Sequence, residues 1–281
     1  MDQSASFDEV WSVIEQMQSP APILELKNHT APSVFLAENM LREACRQKSL
    51  PELSVPEICI LDPDGDLLRH LRAAGRTALC KGWACYHTKM YAFEEAGLRF
   101  GIIGSAVGGA FSVLLAEQAF ASGCELLISV SSAGQIIASG YAPYFILIER
   151  ALRDEGTSYH YLAPARYAEA DPALIQPVMS AVVAAGQHVH LGATWTTDAP
   201  FRETEAAIIA ARTAGILAVE MEAAALYAFA KARGKKVLCF AQVTNQMGQI
   251  DGDFEKGEAN GAHNAFNLVI CAARVAMEIS T

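Results

Sequence analysis

The amino-acid sequence predicts an α/β fold, in which a single domain has a central mixed β-sheet flanked by helices. From Ile58 onwards, short apolar runs bounded by glycine, proline or aspartate alternate with stretches of helical length. Hydrophobic residues make up 52% of the 281 residues, which is enough for one substantial core. We therefore expect a domain over residues 57–281, preceded by an N-terminal helical extension, residues 1–56, packed on it.

Six apolar runs predict the strands of this sheet. Runs such as LLISV are apolar and β-branched without alternation, which is typical of strands covered on both faces. In such sheets ligands bind beyond the strand ends, where loops lead into helices. The runs are 58–61, 99–104, 125–131, 144–149, 188–196 and 236–244.

Helical periodicity predicts three helices in the domain, over residues 108–122, 203–214 and 218–230. Each is followed by a glycine suited to a helix C-cap, namely Gly123, Gly215 and Gly234. The extension has a different character, since proline interrupts it. It consists of an amphipathic stretch (7–17), a proline-bearing link (19–35) and a second helical pattern (36–56).

Charge, hydropathy and cysteine usage exclude several classes of function. A formal net charge of −10 without a Lys/Arg cluster argues against a nucleic-acid partner. No apolar run approaches the roughly 18–20 residues of a membrane helix, and the N-terminus lacks a secretion signal, so we expect a cytoplasmic protein with no membrane partner. The seven cysteines are scattered without any C-x-x-C pair, which favours packed thiols over disulfides or a metal site.

The turn PDGDLLRHLR follows the first predicted strand and leads into a helix. Gly65 lets the backbone approach a ligand, Asp66 can cap the helix, and Arg69 supplies a positive charge one turn later. This arrangement suits an anion, most simply phosphate. Taken alone, however, the motif favours a plain Asp-Gly turn with a solvent-facing arginine.

Two further segments carry polar residues where strands end. In SVSSAGQI, Ser131 and Ser132 offer hydroxyls beside Gly134, which suits phosphate or sugar oxygens, although a small-residue turn explains it equally well. In WTTDAPFRET, Thr197 can make a polar contact and Phe201 can offer a flat face to a ring. The alternative for this segment is the start of a helix, with an early proline and a first-turn acid.

The stretch AVEMEAAALYAFA places Glu220 and Glu222 in apolar surroundings, with Met221 between them. Acids at a helix start stabilise its positive end, which accounts for Glu220. A buried carboxylate also needs donors, and a ribose diol supplies two adjacent hydroxyls that one carboxylate can accept. Methionine is a soft apolar surface for the sugar face, so Met221 and Glu222 suit a sugar site.

Together these segments resemble the nucleoside phosphorylase and uridine phosphorylase superfamily. VEMEAAALYAFA is similar to its signature, in which the methionine and the second glutamate hold ribose, so the match implies that Met221 and Glu222 contact ribose. The resemblance runs in order from about Ile58 to the C-terminus.

The resemblance also implies a phosphate site. GDLLR is similar to the superfamily's phosphate loop at Gly65, Asp66 and Arg69, with Leu67 where a proline is usual. The small-residue turn matches a hydroxyl contact at Ser132. By this resemblance Arg69 and Glu222 carry catalysis, by holding phosphate and orienting ribose.

The base side of the resemblance points to a uridine-like substrate. Phe201 matches the aromatic wall of the base pocket, and Asn245 replaces the aspartate of purine-specific members. Asparagine cannot act as a general acid, though its amide can donate to or accept from a base. Thr197 and Gln246 are weaker candidates for base contacts.

Two departures concern the phosphate cations. Phosphorolytic members carry an arginine at the position of Ser129, and a neighbouring subunit lends another near His87. His87 is therefore assigned to phosphate, and a homo-oligomer, dimer or hexamer, is expected. Hydrolytic relatives share the SAG turn but use an aspartate at the position of Asn245 and a glutamate in the first loop.

The resemblance implies a pentosyl-transferring enzyme that cleaves a nucleoside with phosphate to give free base and ribose 1-phosphate. Inorganic phosphate is the co-substrate, and neither an organic cofactor nor a metal is expected. The alternatives are a nucleoside hydrolase, a nucleoside-binding member with little turnover, and an interaction module that uses the N-terminal extension.

Overall fold

One β-sheet runs through the part of the chain that the computed structural model describes, residues 21–51, 53–247 and 251–279. Its strands are β1 (Ile58–Asp62), β2 (Ala78–Leu79), β3 (Tyr91–Glu95), β4 (Leu98–Gly104), β5 (Leu126–Gln135), β6 (Tyr144–Asp154), β7 (Tyr167–Glu169), β8 (Val189–Thr197), β9 (Ile216–Glu220) and β10 (Lys236–Asn245). The helices are α1 (Ala37–Lys48), α2 (Asp66–Ala73), α3 (Gly109–Ala121), α4 (Ser158–Tyr161), α5 (Pro172–Ala184), α6 (Glu205–Thr213), α7 (Ala223–Arg233) and α8 (Ala262–Glu278).

The sheet is mixed, and part of it closes on itself. The strand order is β10-β6-β8-β9-β5-β1-β4-β3-β2, and β10 also pairs with β5. The five strands that close on themselves form a barrel, namely β5, β10, β6, β8 and β9. An open sheet of β1, β4, β3 and β2 extends from it. Because β1 and β10 both run parallel to β5, their carboxyl ends meet at one edge. The predicted α/β fold with a central mixed sheet is confirmed.

Helix α7 packs against the barrel strands and is largely buried. Its residues from Ala223 to Phe229 are all buried, and the four alanines among them allow close packing. At the start of α3, a Cβ added to Gly109 would lie 2.8 Å from the Cβ of Ala225. The hydroxyl of Tyr227 donates to the carbonyl of Ile148 (2.6 Å) and accepts the N–H of Cys239 (3.1 Å), so α7 is joined to both β6 and β10.

The six predicted strands are confirmed, but the predicted helix 218–230 is wrong in its first part. Residues up to Glu220 belong to strand β9, which pairs in parallel with β8 at Thr196, and the helix begins at Ala223. No glycine or proline separates strand from helix here, so the sequence gives no sign of the change.

The predicted helix 203–214 also begins later than expected. Thr204 is its N-cap, with its hydroxyl accepting the N–H of Ala207 (3.3 Å), while Pro200 lies in a separate 3₁₀ turn. The three predicted C-cap glycines, Gly123, Gly215 and Gly234, all have positive φ angles. Strands β2, β3 and β7 and helices α4, α5 and α8 were not among the predicted elements.

The described part of the extension packs on the domain through α1. Leu41 and Ala44 are buried against Ala84, with Cys45 and Ala121 beside them. The amphipathic stretch 7–17 lies outside the described residues. Among the described residues, no helix has the length and apolar character needed to cross a membrane.

Candidate active site

A pocket of about 260 Å³ opens where β5, β9 and β10 end and the turn after β8 begins. Four predicted site residues from four separate segments line it: Ser132, Phe201, Met221 and Asn245. The other lining residues are Ala133, Gly134, Pro200, Glu203, Val219, Glu220, Met247 and Phe254. A larger pocket, about 370 Å³, lies between residues 33–40 and helices α3 and α7, and it contains none of the predicted site residues.

Two aromatic rings stand at the mouth of the smaller pocket. Phe201 is 98% exposed in the 3₁₀ turn after β8, and Phe254 is 67% exposed in the loop between β10 and α8. Both rings line the same pocket, and aromatic rings in such positions are suited to cover a flat ligand. Phe254 was missed in the sequence because its loop carries no periodic or motif signal.

Asn245 ends β10 beside a shift in register against β5. Its Oδ1 accepts the N–H of Met247 (2.9 Å), and its Nδ2 donates to the hydroxyl of Thr244 (3.1 Å). One N–H and one lone pair of the amide remain for a ligand. Gly134 makes room for this turn, because a Cβ there would lie 2.4 Å from the sulfur of Met247.

Glu220 is buried at the end of β9 and accepts four hydrogen bonds. Its Oε1 accepts from the hydroxyls of Thr194 (3.1 Å) and Thr196 (2.5 Å), and its Oε2 accepts from the N–H groups of Glu222 and Ala223 (2.7 Å each). Burial raises the pKa of Glu220, and these donors oppose that rise. The carboxylate therefore fastens the first N–H groups of α7 to β8, in agreement with its interpretation as a helix-start acid.

Glu222 is the N-cap residue of α7 and is 3% exposed. Its Oε1 accepts the N–H of Gly108 (2.7 Å), at the glycine turn before α3, and its Oε2 accepts the N–H of Met221 (3.3 Å). Burial, followed by the charge of Glu220, raises the pKa of Glu222 to about 8. Met221 lines the pocket, whereas the Glu222 carboxylate lies behind it, against the turn.

Asp62 caps the start of α2, after the first loop, which joins β1 to α2. The sequence suggested Asp66 for this role. The Asp62 carboxylate accepts the N–H groups of Gly65 (3.1 Å) and Leu68 (2.8 Å). Burial raises the pKa of Asp62 to about 7. Gly65 has a φ of +74°, and a Cβ there would lie 2.8 Å from Nη1 of Arg69. Glycine is therefore needed both for the turn and for the arginine to fold back over it.

The cations near this loop are paired with acids. Arg69 donates to the carbonyl of Asp64 (2.8 Å) and to the carboxylate of Asp66 (2.6 Å). Lys256 donates to the other oxygen of Asp66 (2.7 Å) and lies 3.4 Å from the Asp64 carboxylate. Lys256 was missed, since nothing in the sequence connects it with a loop 190 positions away.

Ser132 is joined to the first loop through Asp64. The N–H of Ser132 donates to Oδ2 of Asp64, and its hydroxyl donates to Oδ1, both at 3.1 Å. The predicted phosphate residues Arg69 and Ser132 thus lie in one group of side chains, with the backbone of Gly65 beside Arg69. We call this group the acceptor cluster; it consists of Asp62, Asp64, Asp66, Arg69, Ser132 and Lys256.

Three other predicted residues lie elsewhere. His87 is exposed in the loop between β2 and β3, and its N–H donates to the sulfur of Cys85 (3.4 Å). Thr197 is buried, and its hydroxyl accepts the N–H of Ala199 (3.1 Å). The backbone N–H of Gln246, which is exposed, donates to the carboxylate of Asp253 at 2.8 and 2.9 Å.

The sequence pattern that defines the Phosphorylase superfamily matches residues 57–275 of this chain. The chain belongs to the phosphorylase superfamily. The resemblance that the sequence suggested is therefore confirmed at this level. The match spans the sheet, the pocket and the acceptor cluster described above.

Three relatives of this superfamily member are phosphorylases with different names. It is 28% identical over 181 residues to a uridine phosphorylase of Thermococcus kodakarensis (58% of this chain, 64% of the relative). It is 24% identical over 161 residues to a guanosine phosphorylase of Halorubrum lacusprofundi (57% and 64%). It is 28% identical over 159 residues to a DeoD-type purine nucleoside phosphorylase of Colwellia psychrerythraea (56% and 68%). The chain thus spans less than two thirds of the length of the first two relatives.

The chain has a buried serine, Ser129, at the position where the resemblance to phosphorolytic members suggested an arginine. Ser129 lies within β5 and is 1% exposed, and its hydroxyl has no hydrogen-bond partner among the described residues. A side chain of this size cannot reach beyond the strand end. The positive charges of the acceptor cluster are consequently those of Arg69 and Lys256.

Proposed function

We propose that this protein cleaves the N-glycosidic bond of a uridine-like nucleoside and transfers the ribosyl group to inorganic phosphate. The observation that carries the proposal is the pocket in which Ser132, Phe201, Met221 and Asn245 converge from four segments. These residues match the acceptor, base and ribose contacts for which the sequence made them candidates. Their convergence favours one binding site over four unrelated turns.

Cleavage of this bond builds negative charge on the departing base. Phe201 supplies a flat face for the base, and Phe254, which lines the same pocket, supplies a second ring. The free N–H and lone pair of the Asn245 amide suit the adjacent acceptor and donor of a uracil ring. The amide can stabilise the leaving base by a hydrogen bond but cannot protonate it, which favours a base that departs as an anion.

The same step builds positive charge on the ribose. Met221 offers a polarisable apolar surface for the sugar. Glu222 lies behind it, and in its ionised form the carboxylate can accept ribose hydroxyls with the lone pairs left over from Gly108 and Met221. A fixed carboxylate near the anomeric carbon also stabilises the developing positive charge.

The acceptor cluster supplies the donors for phosphate. The N–H and hydroxyl of Ser132, with Arg69 and Lys256, offer both hydrogen bonds and charge, and Gly65 lets the backbone approach. Positioning and electrostatics then carry the rate without a protein nucleophile, organic cofactor or metal. We further propose that a homo-oligomer, dimer or hexamer, lets His87 of a neighbouring subunit complete the cluster.

Hydrolysis is a second candidate, favoured by the charge of the acceptor cluster. Asp62, Asp64 and Asp66 face only Arg69 and Lys256, so acids outnumber bases among the described side chains of the cluster. A neutral water molecule would bind there without the repulsion that phosphate meets. The base pocket and the ribose contacts would be the same in both reactions.

One experiment separates these functions. The protein is incubated with uridine, inosine or adenosine, with and without inorganic phosphate, and chromatography measures free base, ribose and ribose 1-phosphate. Uracil with ribose 1-phosphate, formed only when phosphate is present, supports the proposal. Base and free ribose in both conditions support hydrolysis. Release of no base from any nucleoside, with binding seen by calorimetry, would leave only a nucleoside-binding role.

A further inference from the structure

The donors of Ser132 are already occupied by a carboxylate of the same chain. One oxygen of Asp64 receives the backbone N–H and the other receives the hydroxyl, both at 3.1 Å. Lys256 lies 3.4 Å from the same carboxylate. The Asp64 carboxylate therefore receives two hydrogen bonds and has a cation nearby. A bound phosphate group requires the same surroundings.

The space beside these acids is too small for phosphate as it stands. The crevice lined by Asp62, Asp64, Asp66 and Ser131 has a volume of about 10 Å³. That volume is about the minimum for one water molecule. Both Ser132 donors are directed at the Asp64 carboxylate, so phosphate can receive them only when the Asp64 side chain moves away.

The Asp64 side chain is able to make this movement. It is 29% exposed, so rotation carries it into solvent and not into the core. The backbone of Asp64 is held separately, because Arg69 donates to its carbonyl at 2.8 Å. The loop can thus keep its shape while the carboxylate alone exchanges with another anion.

We propose that the Asp64 carboxylate is an internal competitor of phosphate for Ser132, and that it determines how tightly the acceptor binds. The inference rests on the proposed function, because it assigns phosphate to that site. Occupied by Asp64, the cluster is closed to phosphate at low concentration. Phosphate at high concentration displaces the carboxylate, which turns towards solvent.

The test compares Asp64→Ala and Asp64→Asn with the wild-type chain, using inorganic phosphate as the probe in calorimetry. Asp64→Ala removes the competing group, and Asp64→Asn removes its charge at nearly the same size. We expect the dissociation constant of phosphate to fall by at least about tenfold in Asp64→Ala and by less in Asp64→Asn. Glu94→Gln, on the exposed face of β3, is the control for loss of one negative charge elsewhere, and its constant should not change.

A double variant tests whether competition takes place at Ser132. Without the serine hydroxyl, Asp64 and phosphate both lose a hydrogen-bond donor. The increase in phosphate affinity caused by Asp64→Ala should therefore be smaller in a Ser132→Ala background. An equal gain in both backgrounds would overturn the inference. An unchanged or weaker phosphate constant in Asp64→Ala, with an unchanged circular dichroism spectrum, would also overturn it.

The two proposals can fail separately. If wild type releases uracil with phosphate but Asp64→Ala binds phosphate no better, the inference is wrong and the function stands. If Asp64→Ala gains phosphate binding while no variant releases base from any nucleoside, the competition is real and the proposed function is wrong. Loss of phosphate-independent base release in Asp64→Ala, without a gain in phosphate binding, would show that Asp64 acts on water and overturn the inference.

Discussion

Replacement of Glu220 by glutamine should destabilise the fold, because the Glu220 carboxylate holds together the end of β8 and the start of α7. The carboxylate accepts hydrogen bonds from the hydroxyls of Thr194 and Thr196 and from the N–H groups of Glu222 and Ala223. An amide keeps one acceptor oxygen, which can serve the pair on one side only. The pair on the other side then faces an NH₂ group.

The size of the effect follows from these contacts. All four donors lose a charged acceptor, and two of them lose their acceptor altogether. A hydrogen bond to a charged group contributes about 1.5–3 kcal/mol, while the neutral amide is easier to bury than a carboxylate. We therefore expect Glu220→Gln to lower the free energy of unfolding by about 3 kcal/mol. Urea unfolding followed by far-UV circular dichroism at neutral pH measures this difference, with equal protein concentrations for both chains.

Glu222→Gln is the matched control for this prediction. Burial raises the pKa of Glu222 to about 8, so at neutral pH this side chain is mostly protonated and an amide resembles it closely. We expect a loss below about 1 kcal/mol in stability, together with a loss of nucleoside cleavage of at least about a hundredfold. Equal stability losses in the two variants, or none in Glu220→Gln, would refute the division between a structural and a functional glutamate.

Three further predictions concern pH, the base and the core. In the proposed mechanism ionised Glu222 binds ribose, so kcat/KM for the nucleoside should rise with pH and level off above about 8. A flat profile from neutral pH upwards would contradict this role. Phe254→Ala and Phe201→Ala should each raise KM for uridine by about tenfold, since each removes one of the two exposed rings that line the pocket. An unchanged KM in Phe254→Ala would mean that Phe201 alone stacks on the base. Tyr227→Phe removes the hydroxyl that serves two buried backbone groups. It should lower the free energy of unfolding, measured in urea, by about 2–4 kcal/mol. A change below about 0.5 kcal/mol would mean that the hydroxyl does not contribute to stability.

The sheet was predictable because each core strand is a short apolar run between breakers. β1 is buried at all five positions, and the sequence signals this directly by the four apolar residues that precede Asp62. Strand β9 was mistaken for helix because its apolar residues run without a break into α7. Pairing with β8, through Thr196 and Glu220, decides between strand and helix there, and such pairing is not encoded locally.

The residues of the candidate site also fall into those that the sequence predicts and those that only the structure reveals. Residues next to glycine or proline turns, such as Gly65, Ser132 and Phe201, could be found because turns at strand ends have recognisable chemistry. Phe254 and Lys256 could not, because each reaches the site from a loop with no motif of its own. Asp64 was visible beside Gly65, but only its contact with Ser132 gives it a role.

By itself, the sequence determined the fold class, the order of the main strands and the superfamily, because apolar spacing and short motifs are local properties of the chain. The tertiary structure decided where each carboxylate lies and which donors it meets. Glu220 and Glu222 are two residues apart, yet one meets four donors from β8 and α7 while the other faces the turn before α3. Hydrogen-bond partners and burial set the protonation and the role of a carboxylate, and both depend on segments that are distant along the chain.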